Sequence, residues 1–124
     1  MSKQRWLLIL ERPFRGDIER TYADSLYQTR MVCAQFRGAM DVLVRGEAAL
    51  LVRCLPETPQ PDSWWGHIAL EGMSLLVSDG TPVFVEEESL SRGHKEHRLF
   101  DGVIRISRED MALKWASYEA IVFF

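Results

Sequence analysis

Short runs of apolar residues, separated by segments of helical period, constrain this chain more than any other feature. They occur within Arg5–Leu10, Asp41–Arg45, Val83–Val85, Val103–Ile106 and Ala120–Phe124. A strand with one face in water alternates apolar and polar residues. A strand that is apolar almost throughout is covered on both faces, as in a parallel sheet lined by helices. Between the runs the period changes. Ile18, Tyr22, Ala23, Leu26 and Cys33 form one stripe of a helix expected from Asp17, as its N-cap, to about Phe36, with Gly38 beyond its end. Glu47–Cys54 reads as a short helix and Leu55–Ser63 as a proline-rich loop. Trp65, Ile68, Ala69, Gly72, Met73 and Leu76 then carry the clearest helical spacing in the chain, after a cap at Asp62 or Ser63 and before a turn at Asp79-Gly80. Glu86–Ser91 reads as a helical turn ending at Gly93. Ser107 followed by Asp110 makes a capping-box pattern for a last helix, Met111–Tyr118, with Trp115 packed on the sheet.

Strand and helix in alternation predict a single α/β domain over 1–124, a three-layer α/β/α sandwich around a five-stranded, mainly parallel sheet. A length of 124 residues suits one domain, and an apolar share of 47% is enough for one core. The closing Ile121-Val122-Phe123-Phe124 has no polar tail to solvate it. It is expected at the sheet centre or under another subunit.

Charge and cysteine usage exclude several classes. A net charge of −3 argues against nucleic acid and against a polybasic membrane anchor. No stretch approaches the ~20 apolar residues of a membrane helix, and Trp6–Leu10 is too short for a signal peptide, so the expected address is the cytoplasm. Cys33 and Cys54 make no disulfide framework and are expected to be free thiols. Without a Gly-x-Gly-x-x-Gly turn or a P-loop, no nucleotide cofactor is expected.

In an open parallel sheet, ligands bind outside the carboxyl ends of the strands. Here those ends carry Arg12, Phe14, Arg15, Arg45, Glu86, Glu87, Arg92 and His94. Arg12 and Arg15, just before a helix start, can hold a small anion or simply pair with Glu11, Asp17 or Glu19. Glu86-Glu87-Glu88 can supply a base or a metal ligand, but three like charges at a helix start more often form a solvated face. His94 and His97 lack a demonstrable third ligand, so no metal site is expected. Cys33 falls on an inward stripe and reads as a small buried hydrophobe. Cys54 follows Arg53 at the edge of the proline-rich loop and is the candidate reactive thiol. Trp64 and Trp65 sit in tandem, one suited to the core and the other to a partner.

Several local phrases resemble the DsrE-like family. They are Leu7-Leu8-Ile9-Leu10 with Pro13 and Gly16; Pro82-Val83-Phe84-Val85 with Leu90 and Arg92-Gly93; Leu99-Phe100-Asp101-Gly102-Val103; and Tyr118 to Phe124. The resemblance implies a five-stranded parallel sheet between helices. It also implies homo-oligomers, trimers or hexamers, or assemblies with related subunits, and sulfur donor and acceptor proteins as partners. It implies a persulfide carried on a cysteine at the end of the third strand. Counting back from Arg92-Gly93 places that position at or near Val85. The expected function is therefore a sulfur relay, with the sulfur chemistry moved to Cys54, or an accessory subunit of such a system. The alternative is a non-catalytic oligomeric binding module that has lost the sulfur-carrying cysteine. A hydrolase or transferase using Glu87 or Glu88 with His94 ranks behind both.

Overall fold

The computed structural model describes residues 5–22, 26–36, 38–52, 72–90 and 99–124. In chain order its elements are β1 (Trp6–Leu10), α1 (Gly16–Thr21), α2 (Tyr27–Gln35), β2 (Met40–Val44), a 3-10 helix (Gly46–Val52), α3 (residues 72–78), β3 (Val83–Glu86), α4 (Glu87–Leu90), β4 (Val103–Ile106), α5 (Arg108–Trp115) and β5 (Ala120–Phe123). All five strands join one parallel sheet in the order β4-β3-β2-β1-β5.

Side chains alternate across a strand, so the apolar runs divide between two faces. Leu8, Leu10, Val42, Val44, Val83 and Val85 point to one face. They pack under Leu26 and Cys33 of the α2 region, Leu51 and Val52 of the 3-10 helix, and Met73 and Leu76 of α3. Leu7, Ile9 and Leu43 point to the other face, with Phe84, Ile106 and Ile121, against Met111 of α5 and Tyr118. Helices therefore cover both faces, which explains the unbroken apolar runs. Burying one such leucine contributes about 1.5–3 kcal/mol.

The first helix differs from the expectation. It stops at Thr21, and α2 starts again at Tyr27. Thr21 and Tyr22 are weak helix formers, and Ile18 and Tyr22 are exposed, so among the described residues the predicted stripe holds at Leu26 and Cys33, while Ala23 lies outside them. Asp17 is not the cap: Arg15 takes that place without a side-chain bond, and Asp17 sits in the first turn. Glu19 instead joins the two helices. Its buried carboxylate accepts from the Arg15 N–H at 2.7 Å and the Gln28 N–H at 2.9 Å.

Two further expectations shift. β5 is an edge strand, paired only with β1, and it leaves Phe123 and Phe124 exposed. The last helix begins at Arg108 and ends at Trp115, which is itself exposed. Its cap is as expected, since the Ser107 hydroxyl accepts from the Asp110 N–H at 3.1 Å. Among the described residues no helix is long and apolar enough to cross a membrane.

Candidate functional site

The carboxyl ends of β1, β2 and β3 come together because the sheet is parallel and in register, with Leu10 opposite Val44 and Val44 opposite Val85. The next residues of each strand or loop, Glu11, Arg45 and Glu86, are thereby brought side by side. Arg45 donates through Nε to Glu86 Oε2 at 2.7 Å and through Nη1 to Glu11 Oε2 at 2.7 Å. From the start of α5, Arg108 Nε donates to the other Glu86 oxygen at 3.0 Å. The Ser89 hydroxyl, one turn along α4, donates to that same oxygen at 2.9 Å and accepts from the Gly46 N–H at 2.9 Å. Gly46 has φ +59, a left-handed conformation that turns the chain out of β2 and brings its N–H to Ser89.

Glu86 is thus no part of a solvated acidic run. It is 5% exposed, whereas Glu87 and Glu88 beside it are open to solvent. Burial alone would push the Glu86 carboxyl up. Hydrogen bonds from Arg45, Ser89 and Arg108, with the charge of Arg45, outweigh it and hold the carboxyl below the usual range. The same contacts raise Arg45 against the desolvation that would lower it. Glu86 is therefore ionised near neutral pH and both its oxygens are engaged. A general base needs a free oxygen and a pKa near the working pH. Glu86 offers neither, and its role is to hold two arginines in place.

Those arginines form the polar end of a cavity of about 450 Å3. Ile9 and Leu43 make its floor, and Met111, Ala112, Trp115 and Phe123 its wall. A second cavity, about 710 Å3, lies beyond the end of β1 and includes Arg12, Phe14, Arg15, Arg20, Glu47 and Phe124. The predicted pocket residues therefore fall into two separate places. Glu86 belongs to the first cavity, Arg12, Phe14 and Arg15 to the second, and Glu87 lines neither. Arg92, His94 and His97 lie outside the described residues, as do Cys54, the proline-rich loop and the Trp64-Trp65 pair.

Sequence reasoning did not place Arg108 or Trp115 at a site. Arg108 stands at the carboxyl edge of β4, which was signal enough to add it. Trp115 needed the helix direction.

Val85 is wholly buried, its side chain turned into the larger core cluster. Cys33 is also buried, and burial pushes its thiol up to about 11. A thiol in that state is neither ionised at neutral pH nor reachable. Among the described residues no group of three or more His, Cys, Asp or Glu side chains could hold a metal ion.

No family model matches the sequence, and no curated protein does. Solved structures do match. The chain is similar to the YchN protein from E. coli, with a TM-score of 0.69 and 15% identity over 98% of this chain and 100% of that one. It is also similar to MTH1491, a protein of unknown function from Methanobacterium thermoautotrophicum, with a TM-score of 0.62 and 15% identity over 98% and 99% of the two chains. Identity at that level carries the architecture alone, since one fold hosts many functions. The chain has the fold of these two proteins.

Proposed function

We infer that this chain is an accessory, non-catalytic subunit of a DsrE-like sulfur-handling assembly, working by binding rather than by carrying sulfur at the family's usual position. The observation that carries this reading is the end of β3. Where the resemblance calls for a sulfur-carrying cysteine, Val85 is buried and Glu86 is held by three side-chain donors. A persulfide carrier needs an exposed thiolate, stabilised by nearby positive charge. At this position the two arginines already neutralise a carboxylate.

The two faces of the sheet support the assembly part of the reading. Four inter-strand gaps make a sheet about 19 Å wide. Among the described residues one helix packs on one of its faces, and a helix about 10 Å across covers roughly half of that width. The face that carries Leu7, Ile9 and Leu43 is packed by α5 and Tyr118. The cavity lies beside α5, with Trp115 and Phe123 exposed at it, and Leu113 is exposed on the same helix. An apolar surface of this kind suits a second copy of the chain or a related subunit, in a trimer or hexamer as the resemblance implies.

The test is sulfur loading. Reduced protein and its Cys54→Ala variant are incubated with polysulfide, and intact and peptide masses are taken beside light scattering. The expected result is an assembled protein with no reductant-labile sulfur on Cys33 or Cys54. Labile sulfur on Cys54 alone would replace this reading with a relay through that residue. A monomer at every concentration would remove the assembly part.

A further inference from the structure

The second cavity contains a buried cation that the binding reading above does not use. Arg15 is 8% exposed, and both terminal nitrogens of its guanidinium, Nη1 and Nη2, are buried without a hydrogen-bond partner among the described residues. The carboxylate whose charge acts on it, Glu19, accepts from the backbone N–H groups of Arg15 and Gln28. Burial first, and then the neighbouring Arg12 charge, lower the Arg15 guanidinium from its ordinary range, with Glu19 opposing. A buried guanidinium with empty donors is among the costliest groups a fold can keep, so its presence calls for an acceptor.

The surroundings say what kind of acceptor. Arg12 and Arg20 line the same cavity from exposed positions, against the carboxylates of Asp17 and Glu47. Among the lining residues three cations stand against two anions, an excess of one that suits a small oxyanion and not a polyphosphate. Phe14, Phe123 and Phe124 add an aromatic wall, and a cavity of about 710 Å3 is larger than an inorganic anion needs.

We propose that this cavity, at the carboxyl ends of β1 and β5, binds a small oxyanion borne on a flat apolar body, its oxygens taken up by the unpartnered guanidinium of Arg15. A guanidinium offers parallel N–H donors that match two oxygens of a carboxylate or of a tetrahedral oxyanion. Arg12 and Arg20 gather the anion, and the aromatic wall receives the body. Arg15 lines the cavity and both its terminal nitrogens are closed off from solvent, so a ligand reaches them only with a local shift of the lining. The two cavities share Phe123, but no member of the Glu86 hydrogen-bond network lines this one, so its failure would leave the accessory-subunit reading standing.

The test is calorimetric titration at low ionic strength with phenyl phosphate, benzoate and inorganic phosphate. Saturable binding is expected, tighter for an aryl probe than for inorganic phosphate. The preferred aryl probe separates a tetrahedral headgroup from a planar one. Arg15→Met should weaken binding about tenfold or more, since it removes charge-assisted bonds in a buried place. Should that variant fail to fold, the exposed pair Arg12→Gln and Arg20→Gln provides the second test, with a loss of about threefold or more expected from the two together. Glu47→Gln should tighten binding. Arg105→Gln, an exposed charge on β4, should leave it unchanged and controls for net charge. No saturable binding of any probe, or binding that ignores the Arg15 and Arg12/Arg20 changes, overturns the proposal.

Discussion

At the scale of single residues, the most consequential side chain is Glu86, because three donors from three elements converge on one carboxylate. Replacing it with glutamine removes the charge and leaves Arg45 and Arg108 facing a neutral group. The expected loss is about 1–3 kcal/mol, below that of a fully buried pair because both arginines are partly in water. The pH dependence has a definite sign. The carboxyl titrates lower in the folded chain than its unfolded value of roughly 4.3, so the contribution is fully present above that pH. It is lost as pH falls through the unfolded value towards the depressed folded one. Urea midpoints from pH 7 down to pH 3 should therefore fall more steeply for the parent chain than for Glu86→Gln, and parallel curves would refute the assignment. Little of this was legible in the sequence. Three glutamates in a row look alike, and strand parity and register alone decide that Glu86 turns to the arginines while Glu87 opens a helix. Arg15 was legible as a cation beside a helix start. Its burial was not, because that depends on Glu19 drawing α1 against α2.

At the scale of elements, local chemistry foretold ends better than middles. Ser107 caps α5 as its spacing with Asp110 suggested, because a cap is settled within four residues. The long helix from Asp17 failed because an apolar stripe reports only which residues would share a face if the helix continued. The link before β4 shows what an element end demands. Gly102 has φ +97, and a Cβ there would lie 2.7 Å from Val77 Cγ1 on α3. Gly38 has φ +77, with nothing within 4 Å of such a Cβ. Alanine at Gly38 should cost about 1 kcal/mol for the left-handed backbone alone. Alanine at Gly102 adds a clash and should cost about 2–4 kcal/mol in all. Equal losses in urea unfolding would mean that Val77 moves aside freely and does not fix the approach of β4 to α3.

At the scale of the molecule, the sheet and its two covered faces were readable, because unbroken apolar strands leave few other arrangements. Strand order was not. The apolar end of the chain suggested a place at the sheet centre or under another subunit; the centre is excluded, because order is set by crossovers between distant segments and β5 crosses to the free side of β1. That placement puts Phe123, at 65% exposure, beside Trp115 on the rim of the apolar cavity, with Leu113 at 78% exposure on the same helix. If this face meets another copy, charge introduced there should disrupt assembly without unfolding the chain, since the exposed side chains carry little of the monomer's core. Leu113→Glu with Phe123→Glu should shift the mass seen by light scattering to the monomer over a concentration range where the parent chain is assembled. Circular dichroism and the urea midpoint of the dissociated species should keep the signature of a folded α/β chain. An unchanged assembly would place the interface elsewhere, on the β4 edge or on the opposite helical layer. A variant that dissociates and unfolds together would show that the thinly covered face depends on its neighbour for folding, making the assembly obligate.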